Sequence, residues 1–436
     1  KSLKDYSSTM PPKRFNPFRI PDSLIQDPVL SEVINRHLPN NYNFEIHKTI
    51  WRIRCLKAKC IALQMPEGLL RFATVLSEIF KRFGPENSET STDNKSTSEG
   101  EVDDVDIVIL GDVSYGACCI DDFSARALGV DLLVHYGHSC LVPLESPSIL
   151  YVFVDIQFDM PHFVDTVKSN YPEGSRLALT STIQFVTSLP SLKKALEDNG
   201  FHPFIPQVLP LSPGEILGCT SPRVSDVDFL LFIGDGRFHL ESLMLANPNL
   251  PAYLYDPYNK TLTREVYDHD KMRVTRRRAI EAAASAKRFG IILGTLGRQG
   301  SPPVVQMLEK RLENLKRKFF IVLLSEITPA KLDLFGADVD VWIQVACPRL
   351  SIDWGSQFSR PLLTPYEASV ALGLTSPAEW TDDSPYPTDY YANDSRGPWT
   401  PNHIANRPVV TTSLRPAVVR PTPTKCPEAC SCTDAS

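Results

Sequence analysis

The sequence predicts an α/β protein made of three related parallel-sheet α/β domains around a pseudo-threefold axis with a central pocket. An apolar run behind a Val-Asp turn occurs three times, in Gly129–Ser139, Asp226–Gly236 and Asp338–Pro348. Upstream of each run a second strand candidate opens a helix, in Cys60–Leu70, Arg176–Gln184 and Arg288–Gly300. Amphipathic stretches with apolar residues three and four apart follow, for instance Leu69–Phe83, Leu189–Asn199 and Val304–Lys318.

The strand candidates are rich in Val, Ile and Leu without alternation, which is typical of parallel strands covered on both faces. Strand, helix and strand in succession imply right-handed crossovers within layered domains. We therefore predict α/β domains at residues 44–155, 156–265 and 266–375. Because ligands bind beyond the carboxyl ends of parallel strands, three such domains would direct their loops at one pocket.

The remaining segments lack this pattern. Residues 1–43 contain several prolines and little periodicity, so they predict an extended arm. Residues 85–104 are polar and acidic with almost nothing to bury, which predicts a disordered insert in the first domain. Residues 376–436 predict a largely disordered tail, although Trp380 and Trp399 could attach parts of it to the body.

Composition narrows the classes of function. A net charge of −6 over 436 residues argues against a nucleic-acid partner. The basic run Arg273, Arg276, Arg277 and Arg278 is typical of a solvated helix face. No run approaches the roughly 18 apolar residues of a membrane span, so we expect no membrane partner. Ten cysteines are too few for a dense disulfide scaffold, and we expect a cytoplasmic protein whose loop cysteines are metal ligands or catalysts.

Three cysteines, Cys118, Cys219 and Cys347, lie at a strand end or an adjoining loop, one in each predicted domain. The third follows a different strand of its domain from the first. Cys119 should point away from its neighbour, and Cys55, Cys60 and Cys140 suit core positions. A C-x3-C-x-C group near the end of the chain lacks a fourth ligand. On the residues alone, a shared metal cluster and scattered core thiols fit equally well.

Eight motifs occur in order over residues 40–375: NYNFEIHKTIWRI, ALQMPEGLL, GDVSYGACCIDDFSARALG, LVHYGHSCLVP, LSPGEILGCTSPR, GDGRFHLES, LGTLGRQGSP and IQVACPRLSIDWG. Together they resemble the first-subunit family of the 3-amino-3-carboxypropyl transferases that begin diphthamide synthesis. The resemblance implies a central 4Fe–4S cluster held by Cys118, Cys219 and Cys347, with one open iron that binds S-adenosylmethionine.

The resemblance also implies a reaction and its participants. A reduced cluster would break the bond from sulfur to the amino-carboxypropyl carbon, and the resulting radical would add to imidazole C2 of a histidine in elongation factor 2. Methylthioadenosine would be the coproduct. Besides elongation factor 2 as the protein substrate, the implied partners are a related second subunit in a heterodimer and a small metal-binding electron-donor protein.

Candidate contacts to S-adenosylmethionine come from glycine loops and strand ends. Backbone amides in Gly234–Gly236 and Gly294–Gly300 could approach its adenosyl or carboxylate groups. Arg298 could pair with the carboxylate, although a surface arginine is an equally good interpretation. His138, with His135 beside it, could line the pocket or be structural. The candidates are Gly234, Asp235, Gly297, Arg298, Gln299 and His138.

Two other functions remain open. The first is an iron–sulfur lyase of the quinolinate-synthase type, in which the open iron would act as a Lewis acid on a small carboxylate. The second is a non-catalytic scaffold that supports the cluster of a partner. The quoted motifs favour the transferase, and the presence of all three cysteines argues against the scaffold.

Overall fold

Strands and helices alternate along most of the chain. The computed structural model describes residues 20–85, 105–112, 114–139, 141, 147–375 and 384–407. Its strands are β1 (Tyr42–Asn43), β2 (Cys60–Gln64), β3 (Asp106–Ile109), β4 (Leu132–Tyr136), β5 (Ser148–Val152), β6 (Asp155–Ile156), β7 (Arg176–Ser181), β8 (His202–Phe204), β9 (Phe229–Ile233), β10 (Ala252–Asp256), β11 (Thr261–Glu265), β12 (Arg288–Gly294), β13 (Lys318–Leu324), β14 (Val341–Val345) and β15 (Leu362–Leu363). The predicted α/β class is therefore confirmed.

The helices lie between these strands and at the two ends of the described chain. They are α1 (Asp22–Ile25), α2 (Pro28–His37), α3 (Ile46–Leu56), α4 (Glu67–Leu70), α5 (Ala73–Phe83), α6 (Asp122–Ala127), α7 (Met160–Asn170), α8 (Leu189–Glu197), α9 (Arg237–Ala246), α10 (His269–Ser285), α11 (Pro302–Asn314), α12 (Pro329–Asp333), α13 (Pro348–Trp354) and α14 (Pro365–Ala371). No helix in the described part of the chain is both long enough and apolar enough to span a bilayer.

Three sheets share one strand order. The first sheet has the order β3-β2-β4-β5, and the third has the order β13-β12-β14-β15. The second has the order β8-β7-β9-β10, with β11 added antiparallel to β10. In each sheet the first four strands are parallel, and the first strand in sequence lies between the second and the third. We call the parts of the chain that carry these sheets the first, second and third units; the domain boundaries and the pseudo-threefold axis stay predictions.

The Val-Asp marker has a structural role that is the same in each unit. The aspartate that precedes the third strand accepts a hydrogen bond of 2.8–3.0 Å from the first backbone N–H of the first strand: Asp131 from Cys60, Asp228 from Arg176 and Asp340 from Arg288. Two of these aspartates also form ion pairs with the arginine at that position, whereas the first unit has Cys60 there. Cys60 therefore lies at the amino end of its strand, away from the ligand-binding edge.

Each sheet is covered by apolar side chains on both faces, which explains why its strands do not alternate. In the first unit, Ile61 and Leu63 pack with α3 and α5, while Ala62 and Leu133 belong to a cluster on the opposite face. The second and third units likewise have separate apolar clusters on the two faces. The three predicted apolar runs contain β4, β9 and β14, and the three upstream strand candidates contain β2, β7 and β12. The three amphipathic stretches contain α5, α8 and most of α11.

The predicted extended arm is wrong for residues 20–43. This segment forms α1, α2 and β1, and β1 pairs antiparallel with β6. Asp27 caps α2 by accepting hydrogen bonds from the backbone of Val29 and Leu30, and Pro28 occupies the first helical position. Buried Leu24 and Leu30 then attach both helices to the first unit. Residues 1–19 lie outside the described residues.

The predicted disorder of the tail is also wrong for residues 384–407, which we call the C-terminal segment. Tyr386, Tyr390, Tyr391 and Trp399 are buried in it. Trp399 does attach the tail to the body, since its ring lies 5.3 Å from that of Tyr366 in α14. The sequence pattern missed this because the buried side chains are aromatic and irregularly spaced. Trp380, the insert from residue 86 to 104 and residues 408–436 lie outside the described residues.

Candidate functional site

The three predicted ligand cysteines lie beyond the carboxyl ends of strands in three different units. Cys118 lies in a 3-10 turn, Ala117–Cys119, which follows β3. Cys219 lies in the loop between β8 and β9, and Cys347 directly follows β14 and precedes α13. Two of them therefore follow the second strand of their unit and one follows the third. This confirms the asymmetry that the sequence indicated.

The three thiols lie close enough to interact electrostatically. Cys118 interacts electrostatically with both Cys219 and Cys347. Each of the three residues is partly accessible, whereas Cys119 is buried. Burial raises the pKa of Cys219 to about 12 and also raises the pKa of Cys347. Burial thus favours the neutral thiols, and a bound metal cluster would supply positive charge that favours the thiolates.

The arrangement differs from a site for a single ion. Among the described residues, no group of three or more His, Cys, Asp or Glu side chains is placed to hold one metal ion. Cluster thiolates bind separate iron atoms, so they stand farther apart than the ligands of one ion. Three soft thiol donors that interact around a common space fit an iron–sulfur cluster better than they fit a zinc or magnesium ion.

The expectation that Cys119 points away from Cys118 is wrong. The two side chains interact, and their interaction raises the pKa of Cys118 and lowers that of Cys119. Cys119 also interacts with Cys347 and accepts a 3.4 Å hydrogen bond from Nε2 of Gln299. The tight 3-10 turn explains this, because its three residues per turn do not place neighbours on opposite faces as a strand does. Gln299, one of the predicted site residues, thus contacts the cysteine turn.

A glycine loop of the third unit packs directly on the cysteine turn of the first. Gly297 has φ +53°, and a β-carbon on it would lie 2.6 Å from the carbonyl carbon of Cys119. The next backbone N–H, that of Arg298, donates a 2.7 Å hydrogen bond to the carbonyl of Cys118. Only glycine meets both requirements, the left-handed backbone and the close approach. The loop therefore fixes the position of Cys118 relative to the third unit.

The sequence suggested that Arg298 pairs with the carboxylate of S-adenosylmethionine. In the structure its side chain pairs with a protein carboxylate. Its guanidinium forms a two-point ion pair with the buried Asp122, at 2.8 and 2.6 Å, and lies over the ring of Phe123. Arg298 lowers the pKa of Asp122 against the opposing effect of burial. Because Asp122 begins α6, just after the cysteine turn, this ion pair reinforces the contact between the first and third units.

A second arginine joins the cysteine loops of the second and third units. Arg349, two residues after Cys347, is only 1% exposed. It donates hydrogen bonds to the carbonyls of Gly218 and Phe238, at 3.3 and 2.6 Å. It also pairs with Glu241 and Asp353, at 2.5 and 2.9 Å. Gly218 immediately precedes Cys219, so Arg349 holds two ligand loops together; its place in the ACPRL motif was the available signal.

Three histidines of interest, His135, His138 and His239, lie in the first and second units. The Nε2–H of His138 donates to the carbonyl of Ser114, 3.2 Å away in the Cys118 loop, and the His138 ring is 5.5 Å from that of His135. His239 on α9 interacts electrostatically with His138 and Arg349. Burial lowers the pKa of His138 and of His239 to about 4, so both are neutral at pH 7. Sequence reasoning missed His239, although it lies in the GDGRFHLES motif.

The other two predicted contact residues lie at the end of β9. The Gly234 N–H bonds to the carbonyl of Tyr255 at 3.2 Å. Asp235 is exposed, and its charge interacts with Tyr258. Their contacts are thus with the second unit, and their role toward a ligand stays a prediction.

Several buried polar atoms at these strand ends lack a hydrogen-bond partner within the described protein: His135 Nε2, Ser139 Oγ, Thr182 Oγ1, Glu215 Oε1, Gln344 Oε1 and the Tyr390 hydroxyl. Buried polar groups are nearly always satisfied, so such a group of atoms indicates a polar ligand or water. Burial also raises the pKa of Glu215 to about 7. Unused hydrogen-bonding capacity thus occurs in the same three units that carry the thiols, and in the C-terminal segment.

Comparison with known proteins identifies the class to which this fold and site belong. The family described as "Putative diphthamide synthesis protein" matches residues 65–385. The chain therefore belongs to the diphthamide synthesis family. Several proteins similar to this chain are named 2-(3-amino-3-carboxypropyl)histidine synthase subunit 1. The Gallus gallus protein is 53% identical over 91% of this chain and 92% of its own length.

The same name is carried by relatives from distant organisms. The Homo sapiens protein is 54% identical over 89% of this chain and 84% of its own length. The Schizosaccharomyces pombe protein is 53% identical over 90% of this chain and 86% of its own length. The word subunit in these names implies a partner subunit for the enzyme.

Two solved structures share the fold. The crystal structure of Dph2 from Pyrococcus horikoshii has a TM-score of 0.61 at 26% identity, covering 77% of this chain and 92% of that one. The structure of the same protein with a 4Fe–4S cluster has a TM-score of 0.63 at 25% identity, covering 81% of this chain and 96% of that one. The relative therefore demonstrates that this fold accommodates such a cluster.

Proposed function

We propose that this chain is the cluster-binding subunit of an enzyme that transfers the 3-amino-3-carboxypropyl group of S-adenosylmethionine to imidazole C2 of a histidine in elongation factor 2. The observation that carries the proposal is the meeting of Cys118, Cys219 and Cys347 from three units. Membership of the diphthamide synthesis family supports the reaction, and the cluster in the Pyrococcus relative supports the cofactor.

In this proposal the three cysteines hold a 4Fe–4S cluster. Three protein thiolates would leave one iron open, and the cluster would supply a binding site for S-adenosylmethionine and the electron that weakens one carbon–sulfur bond. Arg349 and the Gly297 loop keep the three sulfurs in place by linking the loops that carry them. Such rigid support is what allows a site to hold one geometry through a reaction.

The unpartnered polar atoms give the site its capacity to bind the rest of the cosubstrate. Ser139, Thr182 and Gln344 present neutral donors or acceptors that could orient its amino, carboxylate and ribose groups. Neutral His138 and His239 avoid placing positive charge beside a cationic sulfonium. We include Gly297, Gln299 and His138 among the cosubstrate-facing residues, while Arg298 would have to exchange Asp122 for the carboxylate.

The proposed partners follow from the reaction. A related second subunit would complete a heterodimer, and a small metal-binding protein would deliver the electron. Elongation factor 2, as the protein substrate, places the proposed reaction in the cytoplasm. These assignments distinguish the transferase from a lyase, which needs neither a reductant nor a protein substrate.

The test is an anaerobic product analysis of the chain with its partner subunit, reconstituted with iron and sulfide. After reduction, cleavage of S-adenosylmethionine should yield methylthioadenosine and a modified histidine in elongation factor 2. Cys219→Ala should abolish both products, whereas Cys55→Ala, at an exposed position on α3, should leave them unchanged. Formation of 5′-deoxyadenosine, or turnover without a reductant, would refute the proposal. Full turnover by Cys219→Ala would instead favour a scaffold role.

A further inference from the structure

The C-terminal segment lies across the cysteine loop of the second unit. Its backbone pairs with that loop: the N–H of Ser221 donates to the carbonyl of Thr388 at 2.8 Å, and the N–H of Tyr390 donates to the carbonyl of Cys219 at 3.1 Å. The N–H of Tyr391 donates to Oγ1 of Thr220 at 3.0 Å. The segment therefore forms a direct hydrogen bond with a proposed ligand residue, Cys219.

The same segment is anchored in the second and third units. Tyr386 donates its hydroxyl to Glu367 of α14 at 3.1 Å, and its N–H bonds to the carbonyl of Leu245 in α9 at 3.1 Å. Asn393 donates its N–H to the carbonyl of Leu209 at 2.8 Å. With Trp399 packed on α14, these contacts fix the segment on both sides of the cysteine loop. It is thus a built part of the site.

Two tyrosines of the segment reach the thiols. The Tyr391 side chain lies close enough to Cys118 to interact with it electrostatically. Tyr390 interacts electrostatically with Cys219, Cys347 and Cys118, and its hydroxyl is buried without a hydrogen-bond partner in the described structure. Both residues are only 5–6% exposed. A buried, unused O–H donor beside three sulfurs is costly unless something accepts its hydrogen bond.

We infer that the Tyr390 and Tyr391 hydroxyls donate hydrogen bonds to the sulfur ligands of the cluster, and that the C-terminal segment shields that side of it from solvent. The inference rests on the proposed function, because it requires the cluster. The match to the diphthamide synthesis family ends at residue 385, so both tyrosines lie just beyond it.

Hydrogen bonds to cluster sulfurs, and exclusion of solvent, are known determinants of cluster potential. Reduction adds negative charge, and an O–H donor stabilises the more negative state. Removing either hydroxyl should therefore make the cluster harder to reduce. Opening the cover should also make it more sensitive to oxygen.

The experiment compares Tyr391→Phe, Tyr390→Phe and the double variant with the parent chain, all reconstituted anaerobically. Tyr386→Phe is the matched control, since it removes a buried hydroxyl of the same segment that contacts Glu367. The measurements are iron and sulfide content, the reduction potential from an EPR-monitored titration, and the rate of loss of the visible absorbance in air.

We expect each test variant to retain its iron, to show a more negative potential and to lose its absorbance faster than the parent, with a larger effect in the double variant. Tyr386→Phe should lower stability and leave the potential unchanged. If Tyr391→Phe fails to retain iron, Tyr390→Phe decides, because its hydroxyl has no partner in the described protein to lose.

Unchanged potentials in iron-loaded Tyr390→Phe and in the double variant would overturn the inference and leave the proposed function standing. An equal potential shift in Tyr386→Phe would overturn it as well, because the effect would then be unspecific. A parent chain that binds no cluster would refute the proposed function itself, and this inference with it.

Discussion

Gly297→Ala should separate the glycine loop from the cysteine turn and thereby weaken cluster binding. A β-carbon at this position would lie 2.6 Å from the carbonyl carbon of Cys119 and 2.8 Å from its Cα. The obstacle is backbone, so it cannot rotate away, and the loops must move apart by about 0.8 Å to restore an ordinary contact of 3.4 Å. That movement would strain the hydrogen bond from Arg298 to Cys118.

The expected energetic effect has two parts. A non-glycine residue in the left-handed region costs about 1–2 kcal/mol, and overpacking adds about 1–3 kcal/mol. We therefore expect Gly297→Ala to lower the free energy of unfolding by about 2–5 kcal/mol. It should also reduce the iron bound after anaerobic reconstitution.

Gly336→Ala provides a matched control. Gly336 has φ +50°, close to the +53° of Gly297, but a β-carbon there would meet nothing within 4 Å. The control should lose only the backbone part, about 1–2 kcal/mol, and keep its full iron content. Urea unfolding and iron analysis measure both effects. Equal destabilisation in the two variants, with equal iron, would refute the claim that the loop positions the cysteine turn.

Two further predictions concern buried charge. Arg349→Met should lower the free energy of unfolding in urea by about 3–5 kcal/mol, because Glu241 and Asp353 lose a buried partner. The control Arg237→Met removes an exposed partner of Glu241 and should lower it by only about 0–1 kcal/mol. Similar losses in both variants would contradict this prediction. Burial raises the pKa of Glu215 to about 7, so its contribution to stability is full below pH 4.5 and is lost as pH rises through 7. The free energy of unfolding of Glu215→Gln should thus equal that of the parent near pH 4.5. Near pH 8 it should exceed that of the parent by about 3 kcal/mol, at about 1.4 kcal/mol per pKa unit. The same difference at both pH values would contradict this prediction.

The fold could be predicted because its signals are local and repeated. The Val-Asp markers recur in the sequence, and the structure shows that Asp131, Asp228 and Asp340 each tie the third strand to the start of the first. Apolar strands without alternation indicated sheets covered on both faces, which the separate core clusters confirm. Such features depend on residues close together in sequence or on a pattern that appears three times.

The site was only partly predictable, because its supporting contacts join residues far apart in the chain. Nothing near Tyr390 indicates that it will pair with the backbone of Cys219, 171 residues earlier in the numbering. The sequence predicts Arg298 as a site residue, but its pairing with Asp122 depends on how the first and third units pack. The orientation of Cys119 depended on a 3-10 turn that strand periodicity does not describe.

The central claim, that cysteines from three units hold one cluster, is tested most directly by anaerobic iron and sulfide analysis with EPR on the parent chain and single Cys→Ala variants. The parent should bind about four iron and four sulfide per chain. Cys219→Ala and Cys347→Ala should each lose the EPR signal of the reduced cluster, and Cys118→Ala should lose it while Cys119→Ala retains it. Cys60→Ala, at the amino end of β2, should match the parent. A parent without bound iron, or full cluster content in Cys219→Ala and Cys347→Ala, would contradict the account.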